Sequence, residues 1–382
     1  MPQMNKLSKA KFWHSIHSWI GLKLSLLMTF ILLTGSIAVF SAEIDWFLFP
    51  EMRSSDSTPV VQVSWGASFD AVRENYPKYE IDSLNRYPQD YIALQVIANT
   101  PWNELVRIWV EPSDGTVLGV TQWYNAQRFL RSLHRHLMMP NNIGIPIVTF
   151  MAFPLLTSLI AGLFIYKKFW KGIFKRPRFE LKTRIWLGDL HRLTGLWSSW
   201  FIALIAITSI WYFIEELGGN APPLPSPVSH SWGGSSDLPS GFSGQTLERA
   251  VELALTKVPD LEIRRIGLGE TLIIEGDLTA NLVRPRANSV YLNPSTLEII
   301  GSYQGEELEL HNRISEAADP LHFGYFGGLI SKAIWFLVGM CMTSLSITGF
   351  MIYATRIGKI LLPGKALKAH DAPPKEEDIQ FP

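Results

Sequence analysis

Four stretches of the chain are almost purely apolar: residues 24–42, 143–166, 193–214 and 333–355. None contains a charged residue, and each is long enough to cross a hydrocarbon core about 30 Å thick as an α-helix. Between the first and second stretches the period shortens. SFDAVRENYP reads as an amphipathic helix, followed by strands near IDSLNRY, YIALQVIA and VRIWVEPSDGTVLGV, the last folded into a hairpin at Pro-Ser-Asp-Gly. Between the third and fourth stretches the same order returns: TLERAVELALTKVP, then LEIRRIGL, TLIIEGDL and SVYLNPSTLEIIGS, turning at Asn-Pro-Ser.

The expected architecture is therefore a membrane α-helical bundle of four transmembrane helices with two α+β domains, arranged as an internal tandem duplication. The spans are expected over 12–42, 131–168, 189–216 and 319–356, and the domains over 43–130 and 244–318. A basic loop fills 169–188, a Pro/Gly/Ser-rich linker 217–243 and a polar tail 357–382.

The duplication also shows residue by residue. HSWIGL at 17–22 answers HRLTGL at 191–196, and Thr34 answers Thr208. Pro77, Glu80 and Ile81 are answered by Pro259, Glu262 and Ile263, and Leu133-His134 by Leu321-His322. Ile160, Gly162 and Tyr166 return as Ile347, Gly349 and Tyr353. Such internal symmetry tends to place a site.

The net charge of zero conceals an asymmetry. Four lysines and no acid precede residue 24, and nine Lys/Arg lie in 167–192 against Glu180 and Asp189. The positive-inside rule puts both segments and the tail in the cytoplasm, and the two domains outside, in the periplasm of a Gram-negative host. Trp46, Trp186, Trp211 and Trp335 stand near span ends, where an interfacial aromatic belt is expected. The single cysteine, Cys341, lies in the fourth run, which excludes a disulfide framework, a CxxC pair and a CxxCH haem attachment.

The H-x-x-x-G-L span start, the PSDGTVLG-type hairpin and the repeated helix, α+β domain, helix unit resemble the PepSY-associated transmembrane family. In its duplicated four-span form the chain resembles the bacterial inner-membrane ferri-siderophore reductases of the FoxB type, over roughly residues 10–360. The resemblance implies PepSY-like periplasmic domains, two b-type haems among the spans, and reduction of a ferric siderophore.

One histidine marks the edge of each run: His17, His134, His191 and His322. Ionisable groups at such positions are costly and imidazole suits iron, so four at repeat-related positions are the expected axial ligands of haem iron. Depth sorts them into His17 with His191 near the cytoplasmic edge and His134 with His322 near the outer edge. His14 shares a helix face with His17. His136 follows His134 by two residues and points elsewhere, and His311 has no histidine twin. These three remain alternative ligands, while His230 and His370 read as solvated.

The expected activity is outer-sphere electron transfer through haem b to a ferric siderophore of hydroxamate type, releasing ferrous iron. No G-x-G-x-x-G after a strand, Walker loop or iron–sulfur spacing is present, so the donor is expected to be a cytoplasmic reductase or a membrane quinol. Lipid surrounds the spans, and no nucleic acid is expected as a partner. The alternatives are a permease for a siderophore or small peptide, and a non-enzymatic sensor or protease regulator. Substrate-contacting catalytic residues are not assigned by the sequence.

Overall fold

In a computed structural model the described residues are 6–55, 63–166, 171, 173–224 and 234–361. His230, His370, most of the tail and parts of the basic loop and of the linker lie outside them. In chain order the helices are α1 (Lys6–Lys23), α2 (Ser25–Ala38), α3 (Ser41–Leu48), α4 (Trp65–Asn75), α5 (Ala126–His136), α6 (Asn141–Phe150), α7 (Ala152–Ile165), α8 (Thr183–Trp197), α9 (Ser199–Ile214), α10 (Gly244–Lys257), α11 (Leu310–Phe323) and α12 (Gly328–Leu361). The strands are β1 (Glu80–Asn85), β2 (Leu94–Asn99), β3 (Leu105–Val110), β4 (Val117–Gln122), β5 (Glu262–Gly267), β6 (Leu272–Asp277), β7 (Ser289–Leu292) and β8 (Ile299–Tyr303).

Among the described residues three helices are long and apolar enough to cross a membrane: Asn141–Ile165, Ser199–Gly219 and Gly328–Thr355. Lys9–Lys23 and Ser25–Ala38 pass the same test together but are bent by 69°. The molecule is a multi-pass membrane protein with a β-rich part. Its contacts form two compact units.

The first unit joins the described residues up to Leu32 with Pro154–Ala203 and those from Met340 onward. It is helical. Trp13 stacks on Phe164 at 4.7 Å, and Thr29 donates to Ser346 Oγ at 2.8 Å. In the middle of α8 the buried Asp189 accepts from Arg178 Nε at 2.8 Å and Arg192 Nη1 at 3.1 Å. That clasp fixes the helix two residues ahead of His191.

The second unit, Leu33–Phe153 with Leu204–Gly339, holds one antiparallel sheet of eight strands in the order β4-β3-β2-β1-β5-β6-β7-β8. The two expected sets of strands thus share a single sheet, joined where Leu84 of β1 lies opposite Ile266 of β5. Ile81, Leu84, Val96, Ile108, Ile266, Leu272, Ile274 and Val290 are buried against Phe69 and Val72 of α4 and Leu247, Val251 and Ala254 of α10. The amphipathic stripes of these two helices cover the apolar strand positions and keep them from water. The helices also cap one another. Asp70 Oδ1 accepts from Gly244 N, and Glu248 Oε1 accepts from Gly66 N, each at 2.7 Å. The hairpin turns form where Asp114 Oδ1 accepts from Thr116 N at 2.8 Å and Asn293 Oδ1 from Ser295 N at 2.8 Å.

The structure departs from the sequence reading in three respects. The expected spans 131–168 and 319–356 each begin with a separate amphipathic helix, α5 and α11. The chain turns through left-handed Leu137 and Met138 after α5 and through left-handed Gly324 after α11, before the apolar helix starts. Secondly, the fourth apolar helix carries a charge: buried Lys332 donates to Glu43 Oε1 at 2.6 Å. Thirdly, Trp335 is buried, and its Nε1 donates to the Leu321 carbonyl at 2.9 Å, so it braces α11 rather than joining an exposed belt.

Candidate functional site: two histidine pairs

Each unit brings two of the four singled-out histidines together. In the first, His17 of α1 and His191 of α8 have ring centres 6.0 Å apart, with planes inclined by 78°. In the second, His134 of α5 and His322 of α11 have ring centres 6.3 Å apart, inclined by 36°. All four rings are half-buried.

The hydrogen bonds fix which ring nitrogen carries the proton. His17 Nδ1 lies 3.0 Å from the Ser158 carbonyl, which can only accept. His191 Nδ1 lies 3.0 Å from the Leu345 carbonyl and 3.1 Å from Thr348 Oγ1, whose own proton goes to the Ser344 carbonyl at 2.8 Å. His322 Nδ1 lies 2.9 Å from Thr208 Oγ1, and that hydroxyl donates to the Leu204 carbonyl at 3.0 Å. A hydroxyl has one proton to give, so it receives from the ring. In these three imidazoles Nδ1 is the donor, and a neutral ring then keeps its lone pair on Nε2.

The fourth ring is placed by close approach. A Cβ built on Gly35 of α2 would come within 2.6 Å of His134 Cε1, so only glycine admits the imidazole there. Gly349 of α12 does the same for His191 less severely, at 3.1 Å from Cε1. The helix bearing His134 is itself held by the buried Asp45 of α3. That carboxylate accepts from Ala126 N at 2.9 Å, from Gln127 N at 3.2 Å and from Asn125 Nδ2. Backbone donors at the start of α5 suit an anion.

Of the alternative ligands, His14 and His311 have other contacts. His14 is exposed and lies 3.4 Å from Ser18 Oγ. His136 has a shielded Nδ1 that finds no partner among the described residues. His311 is exposed, with Nε2 3.2 Å from the Gly219 carbonyl and its ring edge-on to Trp211 at 5.4 Å. The ring partners Ser158, Leu345 and Thr348 and the neighbour Tyr212 are not among the sequence candidates. Ser158 and Leu345 are nevertheless separated by 187 residues, the same interval as Ile160 and Ile347.

A metal ion between two axial imidazoles, each bonded at about 2 Å, needs ring centres about 6 Å apart. Both pairs meet that spacing, and at His17, His191 and His322 the Nδ1 bonds leave Nε2 for ligation, as when the far nitrogen of a metal-bound imidazole is held by an acceptor. The residues therefore fit a haem iron with two axial histidines. Among the described residues no group of three or more His, Cys, Asp or Glu that would suit a bare metal ion occurs.

No curated protein matches this chain. The family described as the PepSY-associated TM region matches residues 14–356, nine-tenths of its length, and the chain belongs to that family.

Proposed function

We propose that the protein is a bacterial inner-membrane haem oxidoreductase that delivers electrons to a ferric siderophore. The observation that carries this reading is the pairing itself: two sets of imidazoles at the ring spacing of axial ligation, with the tautomers of His17, His191 and His322 set by carbonyl and hydroxyl acceptors. His17 and His191 would hold one b-type haem, and His134 and His322 a second. When bound, such a haem would supply one-electron chemistry, and two histidines on one iron would suit electron transfer rather than ligand activation.

The chain's own part is to orient. Ser158, Leu345, Thr348 and Thr208 set the ring tautomers, and Gly35 and Gly349 let rings approach the helices. The bent pair α1–α2 counts as one span in this reading, giving four. The tandem duplication finds support in the reciprocal caps at Gly66 and Gly244 and in the equivalent bonds from His17 and His191. Both termini and the loop 169–188 lie in the cytoplasm, and the sheet lies in the periplasm.

The acceptor is ferric iron held by hard oxygen donors, hydroxamates in particular. Such donors favour ferric over ferrous iron, so gain of one electron by the metal releases it. The donor is a cytoplasmic reductase or membrane quinol.

The purified protein should show haem absorption bands that sharpen on reduction, at two haems per chain. Anaerobically reduced protein should be reoxidised by a ferric hydroxamate chelate. A folded preparation that takes up no haem on reconstitution discards this reading.

A further inference from the structure

Thr208 and Tyr212 are one turn apart on α9, and both face His322. Thr208 Oγ1 accepts a hydrogen bond from Nδ1. The Tyr212 ring stands edge-on to the imidazole, with centres 5.3 Å apart and planes inclined by 67°. Tyr212 is then tied down in turn: its hydroxyl donates to Asp319 Oδ1 at 2.8 Å. Asp319 lies three residues before His322 on α11, and its other oxygen accepts from Arg284 Nη1 at 2.7 Å. Arg284, which precedes β7, also binds Glu316 through Nε and Nη2, each at 2.8 Å, and Arg286 Nη2 reaches the same carboxylate at 2.9 Å.

These contacts form one chain of fixed groups, from Arg284 through Asp319 and Tyr212 to the His322 ring. Tyr212 keeps two torsions, and its hydroxyl anchor and ring contact restrain both. A ring bordered only by lipid or mobile side chains would be free to turn about its Cβ–Cγ bond. For His191 the structure gives two acceptors at Nδ1, and for His17 a carbonyl and a hydroxyl of one residue.

We propose that Tyr212, anchored by Asp319 and Arg284, is the positioning residue that sets the plane of the His322 imidazole against that of His134. The proposal rests on the haem reading above. It adds that the two haems differ because their axial planes differ: near-perpendicular at His17/His191, closer to parallel at His134/His322. Mutual ring orientation governs the low-spin ferric signal of a bis-imidazole haem, strongly axial when the planes are perpendicular and rhombic as they approach parallel. Outer-shell contacts of this kind also tune the metal.

The test is electron paramagnetic resonance of the full-length oxidised holoprotein, compared with Tyr212→Phe and Tyr212→Leu. The wild type should give one axial and one rhombic signal. Tyr212→Phe, which keeps the ring and loses the anchor, should broaden and shift the rhombic signal alone. Tyr212→Leu should move it further, with the axial signal unchanged and two haems retained. Two retained haems with both signals unchanged in Tyr212→Leu would overturn the proposal while leaving the haem reading intact. If wild type binds no haem, the haem reading fails separately, and nitrogen-15 relaxation of the histidine rings of the apoprotein decides the positioning role. A His322 ring that is rigid in wild type and mobile in Tyr212→Leu supports it; equal rigidity in both overturns it. Should Tyr212→Leu fail to fold, Tyr212→Phe carries each comparison.

Discussion

Thr208 Oγ1 lies 2.9 Å from His322 Nδ1, on the side of the ring opposite the nitrogen that would bind a metal. Because the hydroxyl spends its proton on the Leu204 carbonyl, it serves the imidazole as an acceptor, raising the basicity of Nε2 and fixing its tautomer. Thr208→Val preserves shape and removes the acceptor. We expect haem affinity at His134/His322 to fall by about 10- to 100-fold, with the His17/His191 site unaffected and Thr208→Ser near wild type. Haem titration of the apoprotein, resolving two binding steps, measures this.

Gly35 and Gly349 offer a graded comparison. A methyl group at Gly35 would stand 2.6 Å from the His134 ring, closer than real contacts permit, whereas at Gly349 it would stand 3.1 Å from the His191 ring. Gly35→Ala should displace its histidine and reduce the preparation to about one haem per chain. Gly349→Ala should retain both, since a shift of a few tenths of an ångström relieves it. Equal haem content in the two variants would contradict this ordering.

The ring pairs were within reach of sequence because the repeat places His17 and His191, and His134 and His322, at equivalent points. The hairpins were legible for a different reason: Asp114-Gly115 and Asn293 stabilise their turns through contacts two residues away. What sequence concealed depends on long-range partners. The sequence pattern places the carriers of His134 and His322 in the first turns of spans. Only 137–140 and 324–327 separate them from the apolar helices, and the left-handed Leu137 and Met138 give no compositional signal. The joining of both strand sets through β1 and β5 was likewise hidden, since an edge strand carries no mark of which other edge it meets. Tyr212 stayed unnoticed because an aromatic residue near a span end reads as belt or packing. Its role follows from Asp319 and Arg284, distant in sequence.

Lys332 and Glu43 form a buried pair whose side chains are 9% and 17% exposed, and Glu43 Oε2 has no partner among the described residues. Attraction between such charges is set against loss of hydration, and removing one leaves the other stranded. Lys332→Met should destabilise the protein by about 3 kcal/mol, while Lys332→Met with Glu43→Gln should recover most of the loss. Thermal unfolding in detergent micelles for the single and double variants closes the cycle. Simple additivity of the two single effects would show that the pair does not act as a unit.

Glu316 gives the pH dependence. Burial alone would raise its carboxyl pKa, but the hydrogen bonds and charges of Arg284 and Arg286 outweigh burial and hold it below the ordinary value of 4.5. The same contacts keep the Arg284 guanidinium charged despite its burial. A carboxylate whose pKa is depressed by folding stabilises the folded state at every pH above its unfolded value. That contribution fades as the pH falls through the folded value. The clamp should therefore be at full strength at neutral pH and weaken below the ordinary glutamate range. Glu316→Gln removes the charge at all pH values. It should cost about 2 kcal/mol near pH 7, and the gap to wild type should close progressively as the pH drops below 4.5. Unfolding midpoints of the two proteins across that range measure it, and a gap that stays constant into acid would show that Glu316 does not act through its charge.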